Sequence, residues 1–400
     1  MIYKQFSELY KIPSRNGLTK PKVIRGSGTK MVNMGEIFAH SRLINAEMDR
    51  VPLNEAERST SLLRKGDLLF ARQSLVLSGA GKCSIFLDDN EDVCFESHII
   101  RCRLNPEYAD PKYYYYFFNS PIGRATISTI VEQGAGASGI RGTDLAEISV
   151  PWVDVQIQQN ISRILSALDD KITNNAKINH HLEQMAQAIF KSWFVDFEPF
   201  GGEMPDDWKA GSLLDIADYL NGLAMQRFRP TEGEVGLPVL KIKELRQGVC
   251  DSSSELCSPS IRQDYIVHDG DVIFSWSGSL LVDFWCGGDC GLNQHLFKVT
   301  STKYDKWFYY GWTCHHLAQF IAMAADKATT MGHIKREALA NAEVFIPSDK
   351  DYAILGELLA PLYERVVNNR VESRKLALLR DSLLPRLMSG ELSLEGVYDE

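Results

Sequence analysis

The stretch DVQIQQNISRILSALDDKITNNAKINHHLEQMAQAIFKSWFVDF, residues 154–197, decides the fold of this chain. Its apolar residues recur in alternating steps of four and three, a mean period of about 3.5 that is typical of a helix packed along another helix. The ladder consists of Ile161, Leu165, Leu168, Ile172, Asn175, Asn179, Leu182, Ala186, Ile189 and Trp193. Since no Pro or Gly interrupts residues 153–198, we expect one helix of about 40 residues, roughly 60 Å long. Such a helix is too long for a small globular domain, which predicts a spacer.

A second ladder with the same steps follows 194 positions later, near the C-terminus. Its members are Leu355, Leu359, Leu362, Val366, Asn369, Ser373, Leu376, Arg380, Leu383 and Leu387. Asn175 returns as Asn369, so the two copies agree even at a polar step. Pro361 and Pro385 make the second copy less regular and are candidate kinks. The repetition indicates an internal duplication.

The segments before each ladder are duplicated as well. Three motifs of the first half return about 200 positions later, as Asn16-Gly17 with Asn221-Gly222, Gly66–Phe70 with Gly270–Phe274, and Ser97–Arg101 with Gln294–Lys298. Short β-like runs separated by Gly- and Asp-rich turns predict a mixed α/β globule in each half. We therefore expect an α+β fold in the order globule, long helix, globule, long helix. The predicted domains are residues 1–152, 153–198, 199–347 and 348–392, followed by an acidic tail at 393–400.

Charge is distributed unevenly along the chain. The net charge is −9, yet residues 1–30 carry seven Lys or Arg and a single acid, Glu8. A locally basic face can bind phosphates on an acidic protein, so charge leaves nucleic-acid binding open. The chain shows no apolar run of membrane-spanning length and no signal-peptide core at residues 1–20, which predicts a cytoplasmic protein. Its eight Cys fit buried, reduced thiols.

Catalytic and cofactor motifs are incomplete. Gly134, Gly136 and Gly139 have the spacing of a dinucleotide fingerprint, but no clear helix follows them. Lys82 ends a loop that resembles a phosphate loop, although Cys83 replaces the Ser or Thr that would hold Mg²⁺. His98 and His295 recur in both halves and are predicted to be bonded inside strand-rich cores. Cys286, Cys290 and His295 are a weak zinc candidate without a full counterpart in the first half, so we predict no metal and no catalytic residue.

Several motifs carry a family resemblance. LSALDDKITNNAKINHHLEQMAQAIFKSWFVDF (165–197) resembles the central conserved region of type I restriction–modification specificity (S) subunits, and LYERVVNNRVESRKLALLRDSLLPRLMSGEL resembles their distal conserved region. GDVIFSWSG (270–278) and LNQHLFKV (292–299) resemble stretches of their target-recognition domains. The resemblance implies two target-recognition domains, each reading one part of a split, asymmetric duplex DNA sequence, held apart by an antiparallel coiled coil. It also implies a non-catalytic subunit with two methyltransferase (M) subunits as partners, and restriction (R) subunits as a further set. S-adenosylmethionine, ATP and Mg are then expected on those partners.

The predicted site residues fall into three groups. Basic and aromatic residues in loops that differ between the halves are expected to bind DNA. They are Arg15, Lys20, Lys22, Arg25, Lys30, Arg72, Arg141, Arg227, Arg229, Lys243, Trp276, Lys327, Lys335 and Arg336. Large apolar residues near the helix C-termini exceed what a two-helix seam buries, and are predicted to be exposed for partner binding. They are Phe190, Phe194, Leu384 and Met388. Asn175 and Asn369 are predicted to face each other at the helix midpoints and to set the register.

Two other classes of function remain open from the residues alone. A coiled-coil adaptor with two peptide-binding domains fits the same architecture without a role for DNA. An enzyme that uses the loop at Lys82 is a third reading. Salt-sensitive, sequence-selective binding to duplex DNA separates the first reading from both.

Overall fold

The computed structural model describes residues 2–134, 136–325 and 334–392. The chain divides into two compact units, Met1–Asp170 with Ala377–Glu400 (the first unit) and Lys171–Leu376 (the second unit). Within the described ranges, no helix combines the length and apolarity needed to cross a membrane. The predicted acidic tail at 393–400 lies outside the described residues.

The first unit contains thirteen described strands and five α-helices before the first long helix. The strands are β1 Ile2–Gln5, β2 Tyr10–Asn16, β3 Thr29–Val32, β4 Arg42–Ile44, β5 Asp49–Val51, β6 Leu68–Ala71, β7 Gln73–Ser74, β8 Cys83–Asp88, β9 Val93–Phe95, β10 Ile99–Leu104, β11 Glu132–Gln133, β12 Ser138–Gly139 and β13 Ser149–Trp152. The helices are α1 Met34–Ala39, α2 Glu55–Ser61, α3 Pro111–Asn119, α4 Pro121–Ser128 and α5 Gly142–Glu147. The main sheet has the order β2-β10-β6-β8-β4, and a smaller sheet has the order β5-β3-β9.

Helix α3 shows why the aromatic segment PKYYYYFF is helical. Pro111 occupies the first turn, where its missing N–H costs no hydrogen bond, and the side chain of Asp110 accepts from the N–H of Lys112 at 3.1 Å. Tyr113 to Phe118 are all buried. They pack against the main sheet in one core cluster. The prediction that these rings are core residues is confirmed.

The first long helix, α6, runs from Val155 to Phe194 without interruption. Asp154 begins it by accepting the N–H of Gln156 with its side chain and that of Gln158 with its carbonyl group. The seam residues predicted from the period are buried or half-buried throughout, because they face the second long helix or a globular core.

The second unit repeats the plan of the first. Its strands are β14 Lys209–Ser212, β15 Asp218–Asn221, β16 Leu237–Leu240, β17 Leu256–Cys257, β18 Ile266–Val267, β19 Val272–Ser275, β20 Leu281–Phe284, β21 Cys290–Leu292, β22 Leu296–Thr300 and β23 Glu343–Ile346. Its helices are α7 Leu213–Ile216, α8 Ile242–Gln247, α9 Lys306–Ala325 and α10 Arg336–Ala340, followed by the second long helix α11, Asp349–Ser389. The main sheet has the order β15-β22-β19-β20. Helix α11 continues through both Pro361 and Pro385.

The two main sheets share one register. Ile100 lies opposite Asn16 in the first unit, and Phe297 lies opposite Asn221 in the second. Ile99 pairs with Ala71, and Leu296 pairs with Ser275. These are the positions that the sequence repeats equate. The predicted α+β fold with duplicated mixed α/β domains is therefore confirmed.

Both units show the two long helices antiparallel. In the second unit the side chain of Asn175 lies 3.4 Å from the carbonyl oxygen of Asn369, and that of Asn179 lies 3.1 Å from that of Val366. A higher residue number on α6 therefore faces a lower residue number on α11, as expected of antiparallel helices. In the first unit Arg380 of α11 forms an ion pair of 2.6 Å with Asp169 of α6.

Candidate nucleic-acid interface

A basic cleft opens at one end of the main sheet in the first unit. Its volume is about 420 Å³. It is lined by Ser14, Arg15, Asn16, Arg72, Ile100, Arg141, Gly142, Thr143 and Ala146. One concave surface thus brings together three residues that are predicted to bind DNA and are far apart in the sequence, Arg15, Arg72 and Arg141. We call it the arginine cleft.

Local backbone geometry places these guanidinium groups. Arg15 is near the end of β2, Arg72 directly follows β6, and Arg141 directly precedes α5. Gly17 lets the chain turn away after Asn16, because a Cβ atom there would lie 2.0 Å from the carbonyl oxygen of Phe95. The equivalent Gly222 is under the same restriction from Asn293, at 2.2 Å. The repeated Asn-Gly pair therefore positions the end of the sheet in both units.

The arginines of the cleft are only lightly engaged. Arg15 donates to the carbonyl oxygen of Thr60 at 3.3 Å, and Arg72 donates to that of Ser97 at 3.5 Å. Arg141 pairs with Glu132 at 2.7 Å, but both side chains are mostly exposed, so the pair contributes little and is readily exchanged. Guanidinium groups present several N–H donors in a fork that matches phosphate oxygens and the N7 and O6 edge of guanine. The cleft can therefore receive an anionic, acceptor-rich ligand.

A fourth arginine lies behind the cleft and was missed by reasoning from the sequence. Arg101 of β10 lies opposite Arg15 in the β-ladder and is only 3% exposed, with no hydrogen-bond partner for its Nε atom among the described residues. Burial lowers the pKa of this guanidinium, and Asp67 opposes that shift. Its place in the repeated motif Ser97–Arg101 was the available signal, since Lys298 occupies the equivalent position.

The other basic residues near the N-terminus are engaged by carboxylates. Lys20 pairs with Glu57 at 2.7 Å, Arg25 with Asp49 at 2.9 Å, and Lys30 with Asp89 at 3.1 Å. The pKa of Glu57 is lowered, first of all by the hydrogen bond from Lys20. These three cations stabilise the loops around α2 and β3, and their predicted contact with DNA stays a prediction that would require these pairs to exchange. Lys22 is exposed in a short turn beside them.

The equivalent surface of the second unit is aromatic and polar. Trp276 follows β19 as Arg72 follows β6, and its indole N–H donates to the Oδ1 atom of Asn221 at 3.0 Å. His295 lies beside them, with Nδ1 at 3.0 Å from the hydroxyl of Ser277. The equivalent positions thus carry different chemistry on the same scaffold.

The histidines at equivalent positions differ in environment. His295 is half-buried and bonded as described, which confirms its predicted structural contact. The same prediction for His98 is wrong, because its side chain is 49% exposed and lies 3.6 Å from Glu96. Among the described residues, no cluster of three or more potential ligands could hold a metal ion.

The remaining predicted contacts of the second unit do not converge on one cleft. Arg229 pairs with Glu255 at 3.0 Å, and Lys243 lies 3.7 Å from Asp251. Arg227 is exposed after β15. Lys335 precedes α10, and Arg336 lines a separate pocket with Lys298. Lys327 lies outside the described residues.

Three asparagines meet between the long helices of the second unit. Asn175 lies 3.3 Å from the hydroxyl of Ser373, and Asn369 donates to Asn179 at 2.8 Å. The 194-residue repeat turns the first contact into the second, because Asn175 corresponds to Asn369 and Asn179 to Ser373. All three asparagines are buried, so a shifted register would leave amides without partners. Their control of the register stays a prediction.

The four apolar residues predicted to be exposed for partners are buried instead. Phe194 is 0% exposed and Phe190 6%, and both belong to the core of the second unit. Leu384, 7% exposed, and Met388, 1% exposed, belong to the core of the first unit. The expectation of exposure was wrong because each helix end enters the adjoining globule. Gly311 makes room for Phe190, since a Cβ atom there would lie 2.6 Å from its ring.

Two similar α/β globules and two paired long helices can be compared with known proteins. Residues 4–184 match the family model described as the type I restriction modification DNA specificity domain. The chain is 28% identical to the MjaIX specificity subunit of Methanocaldococcus jannaschii over 311 residues, 71% of this chain and 69% of that protein. It is 21% identical to the HindI specificity subunit of Haemophilus influenzae over 434 residues, 90% of this chain and 94% of that protein.

A solved structure agrees on the fold. The S subunit of a type I restriction–modification system from M. genitalium superposes with a TM-score of 0.61 at 14% identity, covering 96% of this chain and 95% of that chain. These findings confirm the resemblance. The chain is similar in sequence to proteins named type I restriction–modification specificity subunits, and in fold to a solved S subunit.

Proposed function

We propose that the chain binds an asymmetric, bipartite duplex DNA target, one part read by each unit, and directs methyltransferase subunits to it. The observation that carries this proposal is the pair of equivalent surfaces at Arg72 and Trp276. They follow equivalent strands in sheets of equal register, yet one is cationic and the other aromatic and polar. Two sites with different hydrogen-bonding groups favour two different half-sequences.

The proposed partners are two methyltransferase subunits, with restriction subunits as a further set. S-adenosylmethionine, ATP and Mg would be bound by those partners. Because Phe190, Phe194, Leu384 and Met388 are buried, the proposed docking surface for the methyltransferase subunits consists of other residues of the long helices. Exposed large apolar side chains on α6 and α11 include Met185, Ile354, Leu358, Leu378 and Leu379.

Methylome sequencing tests the proposal directly. Cells that carry the chain with its methyltransferase should methylate one split, asymmetric sequence, and deletion of the chain should abolish that methylation. Purified complex should bind this duplex with an affinity that falls steeply with salt, since phosphate contacts release counterions. A methylome that does not depend on the chain would favour the alternative, a coiled-coil adaptor with two peptide-binding domains.

A further inference from the structure

Three consecutive apolar side chains project from the first unit beside the arginine cleft. Leu75 is 89% exposed, Val76 60% and Leu77 52%. They form the end of the loop between β7 and β8, and we call them the apolar tip. Soluble proteins seldom leave adjacent large apolar side chains in water without a binding role.

The loop holds this tip in a defined conformation. The guanidinium of Arg124 donates to the carbonyl oxygens of Ser78, Ala80 and Gly81 at 2.8 to 3.2 Å. The hydroxyl of Ser74 accepts the N–H of Val76 at 3.1 Å. Because these bonds hold the backbone, contact by the tip requires little further ordering of the chain.

The other end of the loop is equally constrained. Lys82 donates to the carbonyl oxygen of Phe38 at 2.8 Å, and its ammonium lies 5.3 Å from the centre of the Phe38 ring. At Gly79 a Cβ atom would lie 2.2 Å from the hydroxyl of Ser74, so the loop closes tightly on itself. Lys82 therefore has a structural role in the loop, in place of the phosphate-binding role its motif suggested.

Charge around the tip indicates what covers it. Arg72 of the arginine cleft lies three residues before Leu75, and β7 pairs with β12, which leads into Arg141. Arg124 bonds to the loop backbone directly after the tip, and Lys82 is the last residue of the loop. The acid that these described contacts place near the tip is Glu132, which is paired with Arg141. An apolar projection between cations suits a ligand with an anionic exterior and an apolar interior, which describes duplex DNA with its stacked bases.

We propose that the apolar tip inserts between neighbouring base pairs of the target, next to the bases read by the arginine cleft. Insertion of apolar side chains unstacks a base step and kinks the duplex, and the transfer of the side chains out of water offsets that cost. This proposal rests on the proposed function, because it requires that the first unit binds duplex DNA. It assigns a distortion of DNA to the first unit, because the equivalent loop of the second unit, residues 276–280, carries no exposed large apolar side chain.

The test uses the assembled complex and the duplex identified by methylome sequencing, with 2-aminopurine placed at successive positions. In the wild-type complex, fluorescence should rise at one step within one half of the target. The triple variant Leu75→Ser/Val76→Ser/Leu77→Ser should lose that rise and bind about tenfold or more weakly. Its salt dependence should equal that of the wild type, because the tip contacts no phosphate.

Two controls separate the tip from other effects. Ile2→Ser alters a side chain whose 60% exposure matches that of Val76 and that lies outside the cleft lining, and should leave fluorescence and affinity unchanged. Copurification of the triple variant with the methyltransferase and its thermal unfolding should equal those of the wild type.

Each contrary outcome has a distinct meaning. A wild-type complex that binds the duplex without a local rise in fluorescence, or a triple variant that keeps it, refutes insertion and leaves the proposed function intact. A triple variant that folds but no longer copurifies with the methyltransferase shows that the tip is a protein contact. Absence of any binding by the wild-type complex refutes the proposed function itself.

Discussion

The loop at residues 72–82 and its counterpart at residues 276–280 connect equivalent strands of the two units and differ in length by six residues. The longer loop carries the exposed apolar tip. The shorter loop carries Trp276 and is closed by the hydroxyl of Ser275, which donates to the carbonyl oxygens of Ser277 and Ser279. The strands on either side keep one register in both units.

This contrast separates the scaffold from the surface. The turn before each loop is built alike, since Asp67 accepts the N–H of Arg64 at 2.8 Å and Asp271 accepts that of His268 at 2.9 Å. Strand pairing and turn geometry constrain the scaffold, whereas a surface loop can change length and composition at little cost in stability. Divergence in the loops therefore changes what each unit contacts and preserves the fold.

The largest expected loss of stability comes from a charge placed in the core of the second unit, which the C-terminal end of α6 enters. Phe194 packs with its ring centre 5.4 Å from that of Trp208 and 5.5 Å from that of Trp312. Phe194→Asp should destabilise the second unit by about 4 kcal/mol or more, because a carboxylate would be buried without a partner. Thermal unfolding and limited proteolysis measure this. The neighbouring Val195→Asp, at a 38% exposed position, is the control and should change stability by less than about 1 kcal/mol.

The equivalent change in the first unit is Met388→Asp, 194 residues later. Proteolysis should then begin in the first unit instead of the second. A stable Phe194→Asp protein would show that the helix end is not part of the core.

The two turn aspartates should differ in their contribution to stability. Asp67 is fully buried and accepts two hydrogen bonds of 2.7 Å from Arg103. Asp67→Ala should cost about 3–5 kcal/mol, since it leaves the Arg103 guanidinium partly buried without its carboxylate. Asp271 pairs with Lys298 at 2.8 Å, but its side chain is 17% exposed, in contrast to the fully buried Asp67. Asp271→Ala should therefore cost less, about 1–2 kcal/mol, because water can approach the Lys298 ammonium, which also keeps its bond to the carbonyl oxygen of Ile266. Urea unfolding of both variants would contradict this ranking if the two losses were equal.

The two reading surfaces should respond differently to salt. Arg72→Ala should weaken DNA binding and flatten the plot of log affinity against log salt by about one unit, if its guanidinium binds a phosphate. Trp276→Ala should weaken binding by about 1–3 kcal/mol without a change in slope, because an indole carries no charge. Fluorescence titrations of the complex at several salt concentrations measure both. Unchanged binding in both variants would remove these surfaces from the interface.

The smallest effect on stability is expected at the helix seam. Asn175→Leu/Asn369→Leu should leave folded helices within about 1 kcal/mol of the wild type, because the added apolar burial of two Leu side chains offsets the hydrogen bond that the buried Asn179 loses. The register should become less strict. The Nζ atom of Lys171 lies 3.3 Å from the Oε2 atom of Glu372, so a bifunctional thiol reagent about as long as these two side chains should join the two cysteines of Lys171→Cys/Glu372→Cys in the native register. Slower or mixed cross-linking in the Leu background is expected, and unchanged cross-linking would show that other seam contacts suffice.

Periodicity predicted the long helices well, because a helical seam is a local pattern that repeats every few residues. Helix α6 covers most of the stretch from Asp154 to Phe197, and every ladder position is buried or half-buried. Duplication predicted the equal registers of the two sheets, since equal motifs at equal spacing build equal strands. Part of the candidate site followed as well, because Arg15, Arg72 and Arg141 do meet in one cleft.

Reasoning from the sequence could not distinguish free cations from paired ones. Lys20, Arg25 and Lys30 belong to the same basic N-terminal segment as Arg15, and the sequence alone does not distinguish them. Their carboxylate partners lie up to 59 residues away in the chain. The sequence shows the excess of large apolar residues at the helix ends. Which surface buries them depends on globules built from distant segments of the chain. The apolar tip was overlooked, because exposure of a side chain is not encoded in its own residue type.

By itself, then, the sequence determined the order of globules and helices, the seam and the positions of its buried asparagines, since these depend on neighbours within a few turns or on a repeat within the chain. Tertiary structure alone decided that Phe190, Phe194, Leu384 and Met388 are core residues. It also decided that one group of basic residues lines a cleft while another is neutralised. The physical reason is that burial and ion pairing are set by contacts between residues far apart in the chain, which no local pattern records.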